Sequence, residues 1–88
     1  MENLAPVQID RKDVSISFGE WIIEARRKTG LTQIDVAKGA NITQAALSRI
    51  ESGINNPSLD MAIRVCDALG LDLAEFTRQY TNKTTPQP

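Results

Sequence analysis

Apolar residues in this chain recur at two different periods, and the change falls near residue 17. Upstream, Val7 and Ile9, then Val14 and Ile16, alternate with polar neighbours around the charged run Asp10-Arg11-Lys12-Asp13. Alternation marks extended chain, so residues 1–16 read as a non-helical arm: two short extended stretches about a turn, or a loose segment. From Phe18 the spacing lengthens. Phe18, Trp21, Ile22, Ala25 and Thr29 follow helical spacing and line one face. Gly30 closes this first helix, and Arg26, Arg27 and Lys28 complement the negative end of its dipole.

Four more helices follow with short joints. Thr32 caps the second, with Asp35 placed three residues on as the reciprocal partner, and Ile34, Val36, Ala37 and Ala40 as its apolar positions. Gly39 inside it costs about 1 kcal/mol relative to alanine. The connection Asn41-Ile42-Thr43 is very short. Asparagine tolerates the left-handed conformation that a sharp turn needs, Ile42 plugs the angle between helices, and Thr43 caps the third helix. That helix runs from Gln44 to Ser52, with Leu47 and Ile50 inward and Gln44, Ala45, Ser48 and Arg49 outward, and Gly53 closes it. Ile54-Asn55-Asn56-Pro57 is a loop, and Ser58 caps a fourth helix whose stripe is Leu59, Ala62, Cys66 and Leu69, up to Gly70. Asp72 and Glu75 open a fifth, with Leu73, Phe76 and Tyr80 as its apolar side. The polar, proline-bearing stretch 81–88 reads as a disordered tail. The expectation is an all-α fold of five short helices, one domain over residues 17–80.

Composition narrows the function by exclusion. At 88 residues there is room for one modest core, and a chain of this size buries only about 60–65% of the surface it exposes when unfolded. Cys66 is the sole cysteine and no histidine is present, so no disulfide, metal or cofactor is expected. That usage suits a reducing cytoplasm. No apolar run approaches the roughly 20 residues of a membrane span, and the N-terminus lacks a secretory pattern, so a soluble cytoplasmic protein is expected. The carboxylates sit dispersed at helix starts and solvent faces, and no glycine-rich phosphate loop follows a strand; no enzyme is expected.

Charge at first argues against a nucleic-acid partner, since the net value is −1 and phosphate binding wants a basic footprint. The distribution softens this. From Ser17 to Gly53, Arg26, Arg27, Lys28, Lys38 and Arg49 stand against Glu20, Glu24, Asp35 and Glu51. From Ile54 to Tyr80, only Arg64 and Arg78 oppose Asp60, Asp67, Asp72 and Glu75. One half is slightly basic and the other acidic, as in a protein that meets DNA with one face.

Two helices joined by three residues, the second showing small polar side chains outward, are the arrangement that sets a recognition helix in the major groove. Gly30-Leu31-Thr32-Gln33, Val36-Ala37, Asn41-Ile42-Thr43-Gln44, Leu47 to Gly53, Asn56-Pro57-Ser58-Leu59 and Ala68-Leu69-Gly70, in that order, resemble the lambda-repressor-like domain of Cro/C1-type (XRE family) phage repressors. The resemblance implies a DNA-binding transcriptional regulator, a repressor or controller, bound as a homodimer to a palindromic operator in double-stranded DNA. It implies that Gln33 contacts a phosphate and braces Gln44, that Gln44 reads a base, and that Arg26 and Glu51 join the first helix to the third. A glutamine amide also suits adenine N6 and N7 on chemical grounds, Ala45 suits a thymine methyl, and Ser48 and Arg49 share that face. Thr43, Asn55 and Asn56 flank it as phosphate contacts. The plainer reading of all these is a solvated helix surface. For Cys66 it is a small core hydrophobe.

The chain departs from the family pattern at Asn41, usually glycine, and at Trp21 and Ile23, usually polar. Trp21 and Ile23 should then be exposed unless the arm or a second subunit covers them, and Trp21, Phe76 and Tyr80 are the expected dimer contacts. With no separate sensor domain in view, no small-molecule effector is expected. A restriction-modification controller, a phage switch or an antitoxin all fit. The competing class is a helix-turn-helix module whose main partner is another protein.

Overall fold

The computed structural model describes residues 11–84, with side chains over 14–80. Five helices follow one another: α1 (Arg11–Thr29), α2 (Gln33–Ala40), α3 (Gln44–Ser52), α4 (Leu59–Leu69) and α5 (Leu73–Thr84). Their boundaries are written in single residues. Thr32, Thr43 and Ser58 each sit in extended conformation, and their hydroxyls accept from the backbone N–H of Asp35, Ala46 and Met61 at 3.0–3.1 Å. At α2 the Asp35 carboxylate also accepts from the Thr32 N–H at 3.1 Å, completing the reciprocal cap. That bond holds the Asp35 carboxyl below the usual carboxylate range.

Two expectations are corrected at the ends. Helix α1 begins at Arg11, not at Phe18, so residues 11–16 belong to no extended arm; residues 1–10, with Val7 and Ile9, lie outside the described residues. Val14 and Ile16 alternate with polar residues because the first described turns of α1 have neighbours on more than one side. Val14 continues the core stripe toward Phe18, Ser15 is buried and its Oγ hydrogen-bonds the Asn56 side-chain oxygen, and Ile16 lies against Gly53. At the other end α5 runs to Thr84, so residues 81–84 are helical rather than disordered, and Thr85–Pro88 lie outside the described residues.

The core gathers Phe18 and Ile22 from α1, Val36, Ala37 and Ala40 from α2, Leu47 and Ile50 from α3, and Ala62, Val65, Cys66 and Leu69 from α4, closed by Phe76 of α5. The most extensive packing pairs α2 with α4 and α1 with α3. Both pairings use glycine for close approach. A Cβ on Gly19 would lie 2.5 Å from the Ile50 carbonyl oxygen and 2.6 Å from that of Glu51, and one on Gly39 would lie 3.2 Å from the Ala68 methyl. Gly39 therefore sits within a helix for packing, against its propensity.

The apolar stripe of α4 turns out slightly rotated. Val65 is fully buried, whereas Leu59 and, on α2, Ile34 are exposed. Both exposed residues lie in the first turn of their helix; periodicity defines a face, but burial also needs a neighbour at that height along the axis. Cys66 packs as a core hydrophobe, and burial, with Asp67 and Asp72 nearby, pushes its thiol up to about 11. Trp21 is half-buried without a second subunit: its ring lies 5.4 Å from Phe76 and 6.1 Å from Phe18, and Phe76 stacks at 5.7 Å on Tyr80.

Candidate nucleic-acid interface

Helices α2 and α3 meet through Asn41-Ile42-Thr43, and local chemistry fixes the angle between them. Asn41 adopts φ 57° and ψ 47°, the left-handed cap position where glycine is usual. Its N–H donates to the Lys38 carbonyl at 3.1 Å and that of Ile42 to Ala37 at 3.0 Å, so the end of α2 is satisfied before the chain turns. Ile42 then packs half-buried on the core and Thr43 starts α3. The departure at Asn41 leaves the turn geometry intact.

Helix α3 divides cleanly. Leu47, Ile50 and Glu51 are buried, while Gln44, Ala45, Ser48 and Arg49 are exposed together on the outer side. Asn55 and Asn56 are exposed in the loop that follows. Asn56 has a second attachment, through its side-chain oxygen to Ser15 of α1. The reading of the sequence missed Ser15, because a helical first turn is needed to bring it to the loop. Of the three residues expected at a dimer contact, Phe76 is buried within its own chain, and Trp21 and Tyr80 flank it half-buried.

Beneath the exposed face runs a continuous polar chain. Gln44 Nε2 donates to Gln33 Oε1 at 3.3 Å, and Gln33 Nε2 donates to Glu51 Oε1 at 2.8 Å. Glu51 in turn accepts from Arg26, whose Nε lies 2.6 Å from Oε2 and whose second terminal nitrogen lies 3.1 Å from Oε1. The remaining terminal nitrogen of Arg26 donates to the Leu31 carbonyl at 3.1 Å. Glu51 is almost wholly buried, and the bidentate bond to it raises the Arg26 guanidinium above its ordinary value. Arg26 and Glu51 are thus the fixed end, and Gln44 is the end that meets solvent.

Such a face can do little covalent chemistry and much recognition. It offers an amide, a methyl, a hydroxyl and a guanidinium on one side of a rigid helix, the set that reads base edges in a major groove. Among the described residues no cluster of histidine, cysteine or carboxylate side chains could hold a metal ion, and no helix is long and apolar enough to cross a membrane.

Comparison with known proteins places this geometry. The Helix-turn-helix family profile matches residues 22–76, and the chain belongs to that family, in its XRE or Cro/C1 type. The family is one of DNA-binding transcriptional regulators rather than a class of enzymes. The chain is 34% identical over 65 residues to the HTH-type transcriptional regulator YqaF of Bacillus subtilis, covering 74% of this chain and 86% of YqaF. It is 32% identical over 66 residues to the immunity repressor protein of Bacillus phage phi105, covering 75% of this chain and 46% of the repressor. The restriction-modification controller protein C.AhdI of Aeromonas hydrophila superposes with a TM-score of 0.68 at 26% identity, over 70% of this chain and 94% of that one.

Proposed function

We propose that this chain is a sequence-specific transcriptional regulator that inserts α3 into the major groove of a palindromic operator as a homodimer. The observation that carries the reading is the exposed set Gln44, Ala45, Ser48 and Arg49 above a braced polar chain. Flexible surface side chains lose entropy on binding, and a side chain already held by its neighbours loses less. Gln44 reads a base, with Ala45, Ser48 and Arg49 along the same groove. Gln33 and Thr43 at the helix starts, with Asn55 and Asn56 in the loop, hold phosphates. The Thr43 and Asn56 bonds within the chain pre-set those side chains while leaving the Thr43 hydroxyl proton and the Asn56 amide N–H groups to donate.

One recognition helix reads about 4–6 base pairs, too few for useful specificity in a genome, so two copies on half-sites about one helical turn apart are required. The proposed contact surface carries Trp21 and Tyr80 around Phe76. Occupancy of the operator excludes polymerase, which makes the protein a repressor or controller working in the cytoplasm. Kinship with a phage immunity repressor and a restriction-modification controller supports that role.

The deciding experiment is selection from a random duplex library with the purified chain at near-physiological salt. Enrichment of a two-fold symmetric motif is expected. A folded sample that enriches nothing would instead favour a protein-interaction module, the reading to which the net charge of −1 lends weight.

A further inference from the structure

Hydrogen-bond chains have a sense. Each amide in such a chain passes a donor one way and an acceptor the other, so a group that can only accept, placed at one end, fixes the orientation of every amide beyond it. Glu51 is such a group. Its carboxylate is tied to Arg26, which can only donate, and it is almost completely buried. Gln33 must therefore turn its NH₂ toward Glu51, as it does at 2.8 Å, and present its carbonyl oxygen to Gln44. Gln44 must answer by donating one N–H to that oxygen, at 3.3 Å. What remains at the exposed tip of Gln44 is one N–H donor beside a carbonyl acceptor. The opposite sense would leave it with both N–H donors and a carbonyl already engaged.

We infer that the buried Glu51 carboxylate sets the base preference of Gln44, making its tip complementary to adenine and mismatched to guanine. This rests on the proposed function and assigns a positioning residue within it. Adenine offers an acceptor at N7 and a donor at N6, which the tip matches with its N–H and its oxygen. Guanine offers two acceptors, N7 and O6, so it would leave the Gln44 oxygen facing O6 without a proton between them. The selection is made about two side chains away from the base by a residue that touches no DNA. Its negative charge is paired inside the protein with Arg26 and is not set against a phosphate. The relay also explains why a polar pair is kept in the core between α1 and α3, where apolar residues of similar volume would often be as stable.

The sense can be reversed by one substitution. In Glu51→Gln the oxygen that remains is held by the 2.6 Å bond from Arg26 Nε, so the new NH₂ takes the place of Oε1, gives up the 3.1 Å bond from Arg26 and turns toward Gln33. Gln33 then accepts through its oxygen and donates to Gln44, and Gln44 is left presenting two N–H groups, the set that suits guanine. The test begins with the selected operator of the intact chain. Gln44→Ala identifies the base step that Gln44 reads, as the one position where preference disappears. Affinities for A·T and G·C at that step are then compared in the unsubstituted protein and in Glu51→Gln, with folding checked by circular dichroism.

The unsubstituted protein is expected to prefer A·T by about tenfold, and Glu51→Gln to erase or invert that ratio. Arg26→Met with Glu51→Met replaces the pair with apolar side chains of similar size and serves if the single variant does not fold. It should bring the ratio to within about threefold, because Gln33 loses its anchor. A folded variant of either kind that keeps the original ratio overturns the inference, as does an unsubstituted protein that prefers G·C at the Gln44 step. In both cases the function proposed above stands. A chain that enriches no duplex at all overturns the function and the inference together.

Discussion

The polar seam between α1, α2 and α3 and the aromatic seam between α1 and α5 hold the same small molecule together by opposite means. Along the first, Arg26, Glu51, Gln33 and Gln44 are linked by bonds of 2.6–3.3 Å, each with a defined donor and acceptor. Along the second, Trp21, Phe18, Phe76 and Tyr80 touch through ring faces and edges at centroid distances of 5.2–6.1 Å. Rings contribute area and accept many angles; hydrogen bonds contribute less and permit few. The directional seam lies under the proposed reading face, where a small rotation would misplace a contact. The area-rich seam lies away from α3, between α1 and α5, where contact area matters more than angle.

That contrast can be broken first at its stronger member. Phe76→Ala removes the ring shared by three aromatic contacts and should cost about 3–5 kcal/mol, read as a shift in the urea midpoint. In a domain this small the loss approaches the whole stability. Arg26→Ala leaves the Glu51 carboxylate buried without its cation and should cost about 3 kcal/mol, seen as lower thermal stability. Lost DNA binding with an unchanged melting curve would make Arg26 a DNA contact instead. Gly19→Ala forces a methyl against two carbonyl oxygens of α3 and should cost about 1–3 kcal/mol, with α1 and α3 pushed apart.

Smaller effects sharpen the comparison. Thr43→Ala deletes the cap of α3 and should cost about 1 kcal/mol by urea titration, with the aromatic seam untouched. Asp35 tests the polar side by pH. Its carboxyl is held below its unfolded value by the Thr32 N–H, so its stabilising contribution is present above the unfolded carboxylate range and is lost as pH falls through the lowered native value. Melting curves recorded from pH 5 to pH 2 should therefore fall less steeply in Asp35→Asn than in the original chain. An equal slope would mean that the reciprocal cap contributes nothing in solution.

Local chemistry explains which parts were legible beforehand. Thr32, Asn41, Thr43, Gly53, Ser58 and Gly70 terminate their helices by means that depend on nearby residues alone, so α2, α3 and α4 could be read from the chain with their joints. The first turns of α1 could not. Val14 and Ile16 alternate with polar residues, and the partners those turns pack against, Gly53 and Asn56, lie about forty positions away. The exposure of Ile34 and Leu59 and the burial of Val65 have the same origin, since a stripe says nothing of where the facing helix stops. Within the site, the outward residues of α3 followed from spacing, and the pairing of Arg26 with Glu51 from family resemblance. The bond from Gln33 to Glu51 followed from neither, because it joins side chains that only the folded angle between α2 and α3 brings together.

Cys66 gives the molecule a built-in stopwatch. A thiolate is the reactive form, and this thiol is both enclosed by the core and poorly ionised at neutral pH, so alkylating reagents reach it only when the helices part. Labelling of the intact protein therefore times how often the structure opens, with no cysteine introduced. A second cysteine placed at an exposed position would react at once while Cys66 stays silent, so a fluorophore could be attached at a single chosen site without first removing the natural sulfur.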